Sequence, residues 1–463
     1  MKTQISVSKD VRNEIDRKIF GNFIEHIEHC ILYGICDPQN PLSNEDGIRV
    51  DVLEKCRELN PPILRFPGGT VIGIYHWKDH IGPIEQRKKG RNLIWGERLC
   101  HEFGTAEYIK FCREIGAEPM LCVNMPTGSA EEAANWVEYC NGTEDTYYAN
   151  LRRSHGYEEP FNVKYWCIGN ESSAEPDLGW QHDVNIYIRE AWEFTKYMKL
   201  TDPTIKLVFV SGNEEWNRAV LDSLFPVCDY FSVHMYSGLP DYDRVTKFEN
   251  VVLPRYRSLL NEYNQKPMEF SLWYRFPPRQ DDIKLAVDEW GLWSRKIPTE
   301  GSKYGLARRY DWKCALWVAK YLNTLIRNSD MVGIANMAQM VNVIAPIISE
   351  PQGSFKQTVF YPMRDYPKHC GTYLSAVEYD CEDLDVVSTV TADGACVLFA
   401  VNTSSSEIEI EVNERIQTQE SVYCEELTAV NHLEQDHVLQ SIAHPDSYTA
   451  KLMPYSISVL HLA

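Results

Sequence analysis

Short apolar runs recur along the first three quarters of the chain. They are rich in β-branched and aromatic residues, and each passes into a polar or glycine turn and then a helical pattern. The runs fall at 19–25, 62–69, 118–124, 164–171, 205–212, 230–236, 284–290 and 332–339. Between them lie amphipathic stretches with helical spacing, among them 104–115, 130–139, 184–198 and 310–328. Strands that alternate with helices pair in parallel through right-handed crossovers. Eight such units in about 330 residues predict an α/β fold, a (β/α)8 TIM barrel.

The pattern changes near residue 375. Short alternating runs such as 397–401 and 408–412 follow one another, separated by Asn, Asp and Ser turns, and helical spacing is scarce. This predicts a C-terminal antiparallel β-sandwich, jelly-roll-like, packed on the barrel. Residues 3–8 alternate in the same way and are expected to add a strand to it. The expected division is a catalytic barrel over 18–374 and a sandwich over 375–463, joined by the N-terminal strand 1–17.

Composition narrows the partners. The chain carries 46 Lys and Arg against 66 Asp and Glu, a net charge of −20. Such a surface repels phosphate backbones and anionic bilayers, so no nucleic acid and no membrane is expected as a partner. The longest apolar run, 331–348, contains Asn336, Gln339, Asn342 and Pro346, which does not suit a bilayer span. The opening residues are charged throughout and carry no secretory signal, and the 14 cysteines lack paired spacing. Free thiols in a reducing cytoplasm are the expectation. The 12 Trp and 26 Tyr lean towards carbohydrate, whose apolar faces stack on aromatic rings, although most aromatic side chains serve the core.

In a TIM barrel the active site lies at the C-terminal ends of the strands. The predicted strands end in Glu25 and His26, in Arg65 followed by Pro67-Gly68-Gly69-Thr70, in Asn124, in Asn170 and Glu171, near Ser211, in His234 and Tyr236, in Asp288 and Glu289, and in Gln339. Polar groups that converge on one space need partners. A polyhydroxylated ligand supplies them. Glu171 and Glu289 end strands four and seven, which face each other across the barrel, and two opposed carboxyls are what glycosidic cleavage requires. At about 5 Å separation the reaction is retaining, through a covalent glycosyl-enzyme. Arg65 with His234 or Tyr236 would keep Glu289 ionised, and Glu171 would then hold its proton as an acid.

At these residues the chain resembles glycoside hydrolase family 51, the α-L-arabinofuranosidases of clan A. The likeness runs through FGNFIEH at 20–26, LRFPGG at 64–69, WKD and IGP at 77–83, NWVEYCN at 135–141, WCIGNE at 166–171, residues 232–238, DEWGLW at 288–293 and AQMVNVIAP at 338–346. The resemblance implies a retaining exo-glycosidase that removes terminal α-L-arabinofuranosyl residues from arabinose-containing oligosaccharides and polysaccharides. Glu171 would be the acid/base and Glu289 the nucleophile. Asn170 would bind the sugar 2-hydroxyl, and Glu25 and Gln339 would hold other hydroxyls. Tyr236 would sit beside the nucleophile, Arg65 would hold its charge, and Trp293 and Trp95 would wall the leaving-group side. No metal or cofactor is implied. A homo-oligomer is, with a hexamer as the family's frequent form.

Three departures touch specificity. The family's PGGN reads Pro67-Gly68-Gly69-Thr70 here, so Thr70 replaces an amide that contacts the sugar. The run 172–179 after the acid/base is unusual, with Glu175 and Asp177. The segment 238–284, with Trp273, Tyr274 and Arg275, also departs. Two other readings stay open: another retaining clan A activity, β-xylosidase or endo-β-glucanase, or a non-catalytic sugar-binding scaffold. His26, His29 and Cys30 have a spacing that can hold zinc, but core packing is the simpler reading. The basic run 87–91 reads as a solvated loop face or a subunit contact.

Overall fold

The structure, a computed structural model, describes residues 2–96, 98–175, 177–268, 275–293 and 305–463. After a first strand, β1 (Lys2–Glu14), eight strands close a barrel in sequence order: β2 (Gly21–Phe23), β3 (Ile63–Phe66), β4 (Glu118–Val123), β5 (Tyr165–Ile168), β6 (Lys206–Val210), β7 (Tyr230–Ser237), β8 (Lys284–Leu292) and β9 (Val332–Ala338). Every pairing is parallel, and β9 closes the ring on β2. Each strand matches one of the eight apolar runs. The runs read as apolar rather than alternating because both strand faces are covered: β3, β5 and β9 are buried at every position.

The crossover helices begin where the sequence offers a cap. Ser129, Asp183, Asn213 and Asp311 each accept a backbone N–H in the first turn of the helices Ala130–Asn141, Val184–Thr201, Glu214–Leu224 and Trp312–Arg327. Helix Thr105–Ile115 stops at Gly116, whose φ of +75° is open to glycine at little cost. Among the described residues no helix is long and apolar enough to cross a membrane.

After the barrel come a hairpin, β10 (Ile347–Glu350) and β11 (Gly353–Lys356), and the strands β12 (Tyr373–Tyr379), β13 (Leu384–Val390), β14 (Cys396–Asn402), β15 (Ile408–Tyr423), β16 (Leu439–Ala443), β17 (Ser447–Leu452) and β18 (Ser456–Leu462). The C-terminal sheet runs β1-β12-β13-β14-β18-β15-β16, with β17 also on β15. Its pairings are antiparallel except one. β1 lies antiparallel to β12 and parallel to β15, so the sheet closes on itself through the N-terminal strand. Alternation on β15 buries Ile408, Ile410 and Val412, which join Ile5, Val7, Val386 and Leu398 in a core separate from that of the barrel.

Barrel and sheet meet on helix Trp312–Arg327. Arg327 donates to Glu249 at 2.6 Å and to Asp385 at 2.8 Å, and Asn323 donates to Asp385 at 2.8 Å. Tyr366 stacks on Phe399 with ring centres 4.4 Å apart. The basic run at 87–91 departs from the expected solvated face at its first residue. Arg87 is buried, and both its terminal nitrogens grip Glu107 at 3.0 and 2.7 Å. It clamps the loop before helix Thr105–Ile115, whereas Lys88 is exposed and pairs with Asp79 at 2.8 Å.

Candidate active site

The strand ends deliver their polar side chains to one space. Arg65, on β3, is the hub. It is 1% exposed, donates to Glu289 Oε1 at 2.6 Å and to Asn170 Oδ1 at 2.8 Å, lies 3.4 Å from Asp288, and covers the Phe23 ring at 4.6 Å. A buried guanidinium is tolerated only with such partners. The Tyr236 hydroxyl donates to Glu289 Oε2 at 2.8 Å. Both oxygens of Glu289 therefore accept hydrogen bonds, one of them from a cation.

Glu171 stands opposite, just past β5. One oxygen of Glu171, one of Glu289 and a ring nitrogen of His234 lie within 4.8 Å of one another. His234 Nδ1 is 2.8 Å from Glu171 Oε1 and 3.5 Å from Glu289 Oε2, and its Nε2 is 3.6 Å from Asp288. Burial alone would lower the pKa of this ring, but the Glu289 charge and the contacts with Asp288 and Glu171 push it well above its ordinary value. The acids around it thus favour the protonated form of the ring. Glu171 itself sits at φ +42°, in the left-handed region that a glutamate seldom adopts, two residues after Gly169 at φ +82°. Strain of this kind gathers at functional sites.

Strand β8 carries both acids through a bulge. On β7, Ser232 pairs with Ala286, and His234, two residues on, pairs with Glu289, three residues on; the register to β9 slips at the same place. The extra residue on β8 brings Asp288 and Glu289 into contact with the same partners, which strict alternation would forbid. Asp288 accepts from Ser232 Oγ at 2.6 Å. Burial works to raise its pKa, yet Arg65, His234 and Ser232 hold it below the usual carboxylate range.

Glu25 forms the floor with Gln339. Gln339 Nε2 donates to it at 3.1 Å, Trp95 Nε1 at 3.4 Å and the Val71 N–H at 3.3 Å. Burial first, and the Glu289 charge second, push its carboxyl up to about 8. A Cβ on Gly69 would come within 2.8 Å of Glu25 Oε2, so the glycine admits the backbone beside the acid. Trp293 meets Tyr236 edge-on, with ring centres 5.5 Å apart.

Thr70, at the start of the turn after β3, brings its hydroxyl beside Asp177 of the loop after Glu171, where it favours the charged carboxylate. Asn170 Nδ2 donates to the same Asp177 at 3.2 Å. A cavity of about 210 Å³ opens beside Glu171 and His234, lined also by Ser211, Ser232 and Tyr256. Trp273 and Tyr274 lie outside the described residues.

The structure thus brings Glu25, Arg65, Asn170, Glu171, His234, Tyr236, Glu289 and Gln339 together, with Thr70 and Trp293 at their edge. Sequence reasoning named Asp288 as a strand end but gave it no role, and it did not pair it with Ser232. It noted Asp177 only as part of an unusual run. The zinc spacing of His26, His29 and Cys30 does not come together. His26 is buried and stacks on Tyr75 at 5.3 Å, whereas His29 meets Tyr33 edge-on at 5.6 Å. Among the described residues two groups of three bring ligand-type atoms within 4.8 Å: the pair of glutamates with His234, already bound to each other and to Arg65 and Tyr236, and His369, Glu420 and His461 at the sheet.

Opposed carboxylates at this spacing, over a polar floor at the mouth of a (β/α)8 barrel, define a glycoside hydrolase. Family models for the α-L-arabinofuranosidase 1 domain and the α-L-arabinofuranosidase C-terminal domain match residues 55–251 and 288–456. The chain belongs to the α-L-arabinofuranosidases of glycoside hydrolase family 51. It is 38% identical to a probable α-L-arabinofuranosidase C of Aspergillus fumigatus, over 85% of this chain and 83% of that protein. It is 32% identical to the intracellular exo-α-(1→5)-L-arabinofuranosidase 1 of Bacillus subtilis, over 100% and 99% of the two chains. The crystal structure of a Thermotoga maritima α-L-arabinofuranosidase in complex with arabinose superimposes with a TM-score of 0.88 at 33% identity, over 99% of each chain. A family 51 enzyme of Thermotoga petrophila also gives 0.88 at 33%, over 100% of each.

Proposed function

We propose that the chain hydrolyses terminal α-L-arabinofuranosyl residues from arabinose-containing oligosaccharides and polysaccharides by double displacement, with Glu289 as nucleophile and Glu171 as acid/base. The observation that carries this reading is the approach of the two carboxylates to within 4.8 Å. That matches the short separation of retaining enzymes and leaves no room for a water between the acids, as inversion requires. Glu289, held by Arg65 and Tyr236, attacks the anomeric carbon while Glu171 gives its proton to the leaving oxygen. Glu171 then takes a proton from water, the water attacks the same carbon, and Glu289 leaves. Two inversions give net retention.

Asn170 meets the 2-hydroxyl, Glu25 and Gln339 hold further hydroxyls from the floor, and His234 carries a proton between the two carboxylates. Trp293 and Trp95 flank the leaving-group side. Exo action on arabinofuranosides accords with the names of the relatives, the Bacillus subtilis protein above all. The same relative is named intracellular, and all 14 cysteines are free thiols, which supports a cytoplasmic setting. We further propose a homo-oligomer, and a division into barrel (18–374) and sandwich (375–463), the sandwich joined by the N-terminal strand 1–17.

A panel of nitrophenyl glycosides tests the glycone. The α-L-arabinofuranoside is expected to turn over, with β-xylopyranoside and β-glucopyranoside at least about 100-fold slower, the span of roughly 3 kcal/mol that a mismatched polar pocket imposes. Turnover of a pyranoside with an inert arabinofuranoside would reject it.

A further inference from the structure

Asp177 has no part in the reaction as written, yet it is built into the site. Its Oδ2 accepts from Asn170 Nδ2 at 3.2 Å, its Oδ1 accepts from the Leu178 N–H at 3.0 Å, and the Thr70 hydroxyl of the loop after β3 stands beside it and favours its charge. Asn170 is held from its other end by Arg65, which donates to Oδ1 at 2.8 Å. An amide with a cation at its oxygen and a carboxylate at its nitrogen has one orientation. Of the two hydrogens on Nδ2, one points at Asp177 and the second is left to meet the sugar. The next residue after Thr70 donates its N–H to Glu25 at 3.3 Å. One carboxylate thereby links the loops of β3 and β5 into a chain that runs from Glu25 round to Glu289.

The loop that delivers Asp177 is fixed. The Asp177 N–H bonds to Ala174 O at 3.0 Å, and the Gln181 N–H bonds back to Ser172 O at 2.8 Å. A Cβ on Gly179, at φ +82°, would stand 2.4 Å from Pro126. The charged groups that face Asp177 are Glu171, beyond β5, and Glu289, on β8. Burial raises its carboxyl most, the Thr70 hydroxyl works against that, and the two glutamates raise it further, to about 6.

We propose that Asp177 is a positioning residue for glycone recognition: through Thr70 and Asn170 it sets the amide that reads the furanose 2-hydroxyl. This rests on the furanosidase reading above.

The test compares the wild type with Asp177→Ala and Asp177→Asn on nitrophenyl α-L-arabinofuranoside and on its 2-deoxy analogue. Asp177→Ala should lower kcat/KM by roughly 10- to 100-fold on the first substrate, the weight of one charge-assisted bond, and by less than about 3-fold on the second. Asp177→Asn should recover part of the loss, because its side-chain oxygen still accepts from Asn170. Protonation of Asp177 weakens its grip on the amide, so the wild-type rate should fall as pH drops through about 6, and that step should be missing in Asp177→Asn. Equal losses on both substrates, or none, would overturn the proposal. A wild-type enzyme inert on both furanosides would instead overturn the glycone reading, and this proposal with it.

Discussion

In the sugar-holding role proposed for it, Glu25 would trade stability for recognition. Its carboxyl is 3% exposed, beside the Glu289 charge, with its pKa raised to about 8. The unfolded chain releases that proton near the ordinary pKa of about 4.3. Between those values the folded state binds more protons, so the stability linked to Glu25 is full below about pH 4 and declines up to about pH 8. Glu25→Gln removes this dependence. The variant should melt higher than the wild type at pH 8 by more than it does at pH 5, and its KM should rise because a carboxyl is lost from the floor. Thermal melts at the two pH values check it; a variant that melts lower at pH 8 would show that the acid is not the burden its surroundings imply. The same scale holds the clearest miss of sequence reasoning. Thr70 stands out as a substitution, but nothing in the chain pairs it with Asp177, about a hundred residues away in sequence, until the β3 and β5 loops are folded together.

At the scale of elements, the legible part was the alternation of strand and helix. All eight barrel strands coincide with apolar runs because parallel strands are covered on both faces. The caps at Ser129, Asp183, Asn213 and Asp311 emerged only with the structure, which places each side chain against the first turn of its helix. Boundaries were less legible. The first run, 19–25, yields only three strand residues, Gly21–Phe23, because Arg17–Phe20 winds into a 3-10 turn opened by the Asp16 side chain. The bulge in β8 was not legible at all. An extra residue leaves no compositional trace, yet it decides that Asp288 braces Arg65 and His234 while its neighbour Glu289 faces Glu171. The parallel pairing of β1 with β15 was equally hidden, since alternation fixes which residues face the core but not the direction of the partner strand.

At the scale of the whole molecule, the barrel is braced from outside by the C-terminal sheet. Arg327 and Asp385 join the last long barrel helix to β13, and Asn323 and Lys320 share the same carboxylate. Burial works to raise the Asp385 pKa, but the Arg327 and Lys320 charges hold it below the ordinary range. Such a group stabilises above its unfolded pKa, and the contribution is lost as pH falls through its lowered folded pKa. Asp385→Ala leaves Arg327 with Glu249 as its one acidic partner and should cost about 3 kcal/mol at neutral pH. The difference in urea midpoint from the wild type should shrink as the medium becomes strongly acid. A midpoint unchanged at pH 7 would remove this contact from the account of how barrel and sheet are held.

The central claim is the pairing of Glu171 with Glu289 in a double displacement, and azide rescue of Glu171→Ala reads it most directly. On an arabinofuranoside with a good leaving group, the variant should still form the glycosyl-enzyme on Glu289 but turn it over slowly. Azide needs no general base, so it should restore the rate and yield an arabinofuranosyl azide of the same anomeric configuration as the substrate. No acceleration, or an azide of inverted configuration, would contradict the account.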